Sequence, residues 1–377
     1  MITRRAFVVS TASGAATAAM GWKPAIDRAQ ISSATGNVPA YSIIPVVGDG
    51  KFIWTKPPEN ETGYLEPRPY EVEIGIDVEG VGGDTPFMAT TPSPIEHPEQ
   101  RIDEVQVETA GNCEAKLRKL RGAVGQLFVR GRLAQGQRAR AVARYRMTLF
   151  KQYHGYNRDQ FPAEQETPKK IRDAALQNSP GIETRAPSVR KLASRLSGGA
   201  KHPWDKAQRF AQWVQENIRP QIGAYTNVVS ALKNRIGDCE EMAAVLVALC
   251  RSVGIPARLV WVPNHNWAEI YLVDHYEAGH WIPVHTSCYS WFGWTGAHEL
   301  VLQKGDRITV PELHGQQRLL SDWARYTGRK PNLRYIGNLK PLPPSEGADP
   351  GPGARSKNKL GDWRRVGDHE LDRYLRR

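Results

Sequence analysis

Cys239 stands directly after Gly237-Asp238 and ahead of an apolar run that closes at Gly254, a setting in which a thiol can serve as a nucleophile. Asp238 is a favoured N-cap residue, and Glu241 follows it at the spacing of a capping box, so a helix is predicted to begin at Cys239. In a first helical turn the unpaired backbone N–H groups and the positive end of the macrodipole stabilise a thiolate. Glu240 and Glu241 oppose that effect, and the cap, Arg258 or other bases are the groups available to absorb their charge. An attacking thiolate also needs a proton carrier, because the leaving amine must be protonated as an acyl-enzyme forms. Asn264 to Leu272 reads as a strand with His265 at its entrance, and Gly279 to His285 as the returning strand. A turn around Asp274 to Gly279 would set His285 opposite residue 268, a few positions from His265.

A metal reading fails on parity. His275, His280 and His285 recur every five residues, but positions 280 and 285 differ by an odd number and point to opposite faces of a regular strand. No acidic loop of the EF-hand type occurs in the sequence, so neither a metal nor another cofactor is predicted.

These residues together resemble the transglutaminase-like superfamily of papain-like cysteine enzymes. The resemblance is carried by Gly237-Asp238-Cys239 with its helix, by Gly254-Ile255-Pro256-Ala257-Arg258, by His265 to Leu272 and by Trp281-Ile282-Pro283-Val284, covering roughly residues 185 to 290 in family order. It implies an α+β fold in which the Cys-bearing helix packs on an antiparallel sheet, with catalytic order Cys, His, Asp. Carried over, Cys239 is the nucleophile and His265 the acid/base. The family's Asp falls four residues after the tryptophan of the returning strand, where this chain has His285, making His285 the expected third member. The implied activity is attack on peptide or carboxamide bonds, with hydrolysis favoured over crosslinking and a protein or peptide as substrate. The alternative is a catalytically inactive binding or structural module that keeps the fold without the Asp. The calcium dependence of some animal transglutaminases is not expected.

The elements that must position these residues fall into two regions. From Tyr41 to Gln152 the pattern is β, read as a sandwich domain (41–152) after a flexible entry segment (21–40). Between Leu127 and Phe150 two alternating runs flank Gln135-Gly136-Gln137, the pattern of a hairpin. On the second run Ala139, Ala141, Ala143, Tyr145 and Met147 share one face, with Arg138, Arg140, Arg144 and Arg146 on the other. That Arg-studded surface reads first as a solvated outer face and second as a contact for an anionic envelope polymer. The catalytic domain is placed at 164–339. Within it, helices are predicted over 188–196 and 203–218, the latter burying Trp204, Phe210, Trp213 and Val214. A Pro- and Gly-rich linker and a charged tail of helical pattern occupy 340–377. Cys239 and Cys250 lie eleven residues apart on one predicted helix, about 16 Å along its axis, so they cannot form a disulfide with each other.

Composition sets the outer limits. The 377 residues carry 51 Lys and Arg against 39 Asp and Glu, a net charge of +12, without any motif of specific nucleic-acid recognition. No uninterrupted apolar run of about 18 residues occurs, which excludes a polytopic membrane protein, and no transmembrane segment is expected in the mature chain. Met1 to Met20 pairs Arg4-Arg5 with Phe7 and a mildly apolar stretch ending in Ala16-Thr17-Ala18, which resembles a twin-arginine export signal cleaved after Ala18. The mature protein is therefore expected in the periplasm or cell envelope.

Overall fold

The computed structural model describes residues 41–42, 54–122, 124–287, 291–343, 351–357 and 363–365; the leader and the entry segment lie outside them. The fold is α+β, as the sequence implies. Its first part is a sandwich of two antiparallel sheets. Strands β1 (Glu61–Glu79), β3 (Gln100–Ala110) and β6 (Arg138–Tyr153) form one sheet with β6 central. The facing sheet holds β2 (Thr85–Ser93), β4 (Cys113–Leu120) and β5 (Val124–Leu133). Period-two alternation puts Tyr70, Val72, Ile74, Ile76 and Val78 of β1 and Ala139, Ala141 and Ala143 of β6 against Phe87, Leu127, Val129 and Leu133 of the other sheet.

The predicted hairpin is absent. Gly136 does turn the chain, with φ 75° and a bond from Gln137 N to Ala134 O, but β5 pairs with β2 and β4 while β6 pairs with β1 and β3. The two runs sit in opposite sheets because each has a continuous apolar face, and those faces bury one another across the core. The arginine face of β6 is not a field of one sign. Arg144 bridges Glu73 and Glu108, Arg138 pairs with Glu79, and Arg140 and Arg146 stand opposite Asp77 and Glu71. Such exposed pairs contribute roughly 0–1 kcal/mol each.

The second part is built around α4 (Cys239–Ser252), preceded by α1 (Pro187–Ser197), α2 (Pro203–Asn217) and α3 (Val228–Asn234). Every α4 residue from Cys239 to Arg251 is buried, the condition of a helix enclosed on all sides. It packs against β7 (Ala257–Val262) and β8 (His265–Val273), which continue antiparallel into β9 (Gly279–Val284). Trp204, Phe210, Trp213 and Val214 of α2 are buried in the same core. Cys250 is fully buried there with a free thiol, and Cys113 on β4 is a second free thiol; Cys288 lies outside the described residues.

After β9 the chain shuttles between the two parts. The two-residue strand β10 (Trp294–Thr295) pairs with the end of β6, Leu300 and Leu302 enter the sandwich core, and β11 (Gln303–Lys304) pairs with β7. Strands β12 (Trp323–Tyr326) and β13 (Asn332–Pro341) then complete the sandwich beside β2 and β1. The sequence reading assigned most of this stretch to the second domain, because strands that pair across more than two hundred residues leave no local signal. In the tail, Arg355–Lys357 pairs with the start of β1 and with Trp363–Arg365, so these residues are strand despite the helical pattern of the tail sequence.

At the far end of α4, Arg251 meets Asp306 at 2.8 Å with both side chains almost wholly inaccessible. Arg251 also donates to the carbonyls of Ala257 and Gln177 and to Ser179 Oγ, while Asp306 accepts from Leu259 N. Removing one member would strand a buried charge. Asp306→Ala should therefore destabilise the protein by about 3–5 kcal/mol in chemical denaturation, whereas a loss below about 1 kcal/mol would mean that the pair is hydrated.

Candidate active site

The start of α4 is capped as its sequence predicts. Asp238 Oδ1 accepts from the backbone N–H of Glu240 at 2.8 Å and of Glu241 at 3.4 Å, while Glu241 Oε2 accepts from Asp238 N at 3.1 Å. Gly237 makes this possible: a Cβ there would lie 2.5 Å from that of Glu241, whose stem folds back over it. Cys239 is thus the first residue of the helix and is buried, with 4% of its surface exposed. The carboxylates beside it are all engaged. Glu241 Oε1 takes the N–H of Thr226, and Glu240 pairs with Arg318, whose guanidinium lies 3.4 Å over the Tyr225 ring. Burial and the neighbouring Glu241 push the Asp238 carboxyl well above its ordinary range, which lessens the negative charge at the thiol. Arg258 does not act here; it pairs with Glu269 and stacks over Trp281.

His265 opens β8 after a two-residue connection, Pro263-Asn264, in which Asn264 adopts φ 57°. The returning strand pairs one residue out of the predicted register: Ala268 faces Val284, so His285 lies just past the end of β9. It still meets His265. The His265 Nε2 to His285 Nδ1 distance is 3.3 Å, with both rings buried. The ring planes differ by 18° and the centroids are 5.4 Å apart, near the longest separation that such an N···N contact allows. The imidazoles therefore meet head to head in plane, the geometry of a hydrogen bond. It is Nε2 of His265 that faces His285; Nδ1 lies on the opposite side of the ring.

His285 is held on all sides. Trp267 stacks on it at 4.9 Å, Trp291 meets it edge-on at 4.9 Å, its N–H donates to Trp291 O, and its carbonyl accepts from Gln215 Nε2. Its second ring nitrogen, Nε2, lies 3.4 Å from Thr295 Oγ1 and 3.9 Å from Glu299 Oε2. Burial lowers the His265 pKa to about 3 and holds His285 well below the ordinary histidine value, with the neighbouring imidazole adding to the effect. Burial, reinforced by Glu99 and opposed by Lys304, raises Glu299 well above the carboxylate range. Donor atoms of His265, His285 and Glu299 lie within 4.8 Å of one another, a set that could hold a metal. The in-plane contact of the two rings assigns the pair to hydrogen bonding instead.

The structure thus brings His265 and His285 together and sets Cys239 at the start of the helix packed on the His265 strand. Sequence reading missed Glu299, Arg318 and Trp291. Glu299 stands in a segment without periodicity, and its one signal is a carboxylate set against the apolar run Leu300-Val301-Leu302.

The depressed histidines have a measurable consequence. A histidine whose folded value is lowered contributes stability that is present above the unfolded value of about 6.5 and is lost as pH falls toward the folded one. The imidazole ¹⁵N signals of His265 and His285 should accordingly stay in the neutral form from pH 8 to pH 5. A midpoint near 6.5 at either ring would contradict their burial.

No curated protein matches the chain. Among solved structures, the chain is similar to a protein from Cytophaga hutchinsonii described as a "putative cysteine protease", at 14% identity, TM-score 0.49, and coverage of 75% of this chain and 99% of that one. A "putative protease" from Parabacteroides distasonis is similar at 12% identity and TM-score 0.25 over 68% of this chain, which spans 48% of that protein. The family comparison is more local and falls on the elements just described, matching residues 190–286 to the transglutaminase-like superfamily. The segment that carries α4, β7, β8, β9 and the Cys239, His265 and His285 positions is a transglutaminase-like superfamily domain.

Proposed function

We propose that this protein is a thiol hydrolase that cleaves peptide or carboxamide bonds through an acyl-enzyme on Cys239. The observation that carries the reading is a cysteine at a capped helix start, on the helix packed against the strand of His265, whose imidazole meets a second imidazole through Nε2. In the proposed reaction Cys239 Sγ attacks the carbonyl carbon while His265 accepts the thiol proton. His265 returns that proton to the leaving amine as the C–N bond breaks. Water then attacks the thioester with His265 as base, releasing the acid and restoring the thiol. The Cys239 backbone N–H, at the first position of the helix, is the candidate oxyanion donor. We propose further that the protein works outside the cytoplasm, on the strength of the Arg4-Arg5 leader pattern.

Hydrolysis and amine transfer share this chemistry and differ in the second nucleophile. Incubating the mature protein with a peptide mixture and a fluorescent primary amine, followed by mass spectrometry, separates them. Cleaved peptides without amine adducts are expected. Adducts on glutamine would reassign the protein to crosslinking, and the absence of both products would leave a binding module. Cys239→Ala and His265→Ala should each lower the rate roughly a thousandfold or more.

Thiol reactivity gives an independent check. With iodoacetamide at pH 7, peptide mapping should find Cys239 modified faster than Cys113, although Cys113 is the more exposed. Burial raises the pKa of both Cys113 and Cys250, so neither should compete. Preferential labelling of Cys113 would count against an activated Cys239.

A further inference from the structure

A neutral histidine in place of a carboxylate poses an electrostatic problem. When His265 takes the thiol proton it becomes a cation within a fully buried site, and His285 carries no negative charge to offset it. The offsetting group stands one ring further on. His285 presents Nδ1 to His265 at 3.3 Å and Nε2 to Glu299 Oε2 at 3.9 Å, so the three side chains form a line. We propose that Glu299 is a positioning residue of this site, which receives through His285 the proton charge that His265 takes from Cys239. The proposal rests on the Cys239 and His265 reading given above.

The surroundings of Glu299 fit the role. Its side chain is 3% exposed, and neither carboxylate oxygen has a hydrogen-bond partner among the described residues. A buried carboxyl without partners is costly and calls for an explanation. The charged groups facing it are Glu99 ahead of β3 and Lys304 on β11, and Lys304 is taken by Glu99 and Glu269. The neighbouring His298 turns away to the carbonyl of Glu66. Thr295 Oγ1 lies 3.4 Å from the same His285 nitrogen. The 3.9 Å contact is longer than a hydrogen bond, so the proposal requires it to tighten in the substrate complex, as catalytic contacts often do.

The transfer balances. The Cys239 S–H bond breaks and an N–H bond forms at Nδ1 of His265. The Nε2 proton of His265 passes to His285 Nδ1, and the Nε2 proton of His285 passes to Glu299 Oε2. Thiol, two neutral imidazoles and a carboxylate become thiolate, two neutral imidazoles and a carboxylic acid, with net charge unchanged. Burial favours the neutral form at all three relay groups, lowering the two histidines and raising the glutamate, so the relay avoids a buried imidazolium. Reactivity then requires the whole unit to lose one proton, and Glu299 supplies that site of loss.

The test is the pH dependence of Cys239 carboxymethylation by iodoacetate in the wild type, Glu299→Gln, His265→Ala and the double variant His285→Asp/Glu299→Gln. Glu299→Gln should move the midpoint up by a pH unit or more and cut the rate at pH 7 at least tenfold. The double variant, with a carboxylate placed directly against His265, should recover most of that loss. A merely structural role for Glu299 would leave the midpoint in place. If His265→Ala shifts the profile and Glu299→Gln leaves it at the wild-type midpoint, the relay is wrong and the Cys239 and His265 pair stands. If His265→Ala also changes nothing, the catalytic reading falls and the relay with it. Should Glu299→Gln fail to fold, Glu299→Asp keeps the charge while drawing it back by one methylene; an unchanged profile there would equally overturn the relay.

Discussion

Desolvation of the α4 start is the constraint on which the rest of the structure depends. A helix buried on every side brings Cys239, Asp238, Glu240 and Glu241 out of water together. Each polar group taken there must then find a partner within the protein. Asp238 and Glu241 satisfy the backbone and one another, and Glu240 requires a cation. That cation, Arg318, comes from beyond the core sheet, and the Glu269 carboxylate is met by Arg258 and Lys304. At the opposite end, Arg251 needs Asp306. Three of these partners, at 304, 306 and 318, lie past the limit of the matched family segment, so that segment is complete only with the chain that follows it.

The part of this that was legible in the sequence is the part written locally. The Asp238 and Glu241 spacing fixed the helix start to the residue, because capping is an interaction between neighbours in the chain. The apolar stripe of α2 and the alternation of β1 and β6 were equally plain. The pairing of His265 with His285 could be anticipated from a two-strand return, and the one-residue error in register survived because His285 sits beyond the strand end, where alternation no longer dictates its direction. Long-range pairings were not legible. The turn at Gly136 looked like a hairpin because two alternating strands meet it, and nothing local tells a hairpin from a crossing between facing sheets.

Glu299 shows the same limit at the level of chemistry. The family pattern places its carboxylate on the returning strand, at a fixed distance from a tryptophan. Here that position holds His285, and the nearest carboxylate arrives on a connecting segment fourteen residues later. Spacing rules cannot reach it, since its location is set by what anchors the segment on either side.

Those anchors belong to the sandwich. Trp294 and Thr295 pair with Tyr153 and Gln152 of β6, His298 reaches the carbonyl of Glu66 in β1, and Leu300 and Leu302 are buried in the sandwich core. Trp54 packs against Trp291, one of the two indoles that hold the His285 ring. A histidine at position 285 therefore draws the β region into holding this site. With a carboxylate on the core sheet, the core could orient its own histidine. With it on a segment fastened to β6 and β1, the alignment of His285 depends on the docking of the sandwich against the core. The chain's return through β12 and β13, which closes the sandwich after the site residues have been laid down, ties the two parts together on both sides of the site.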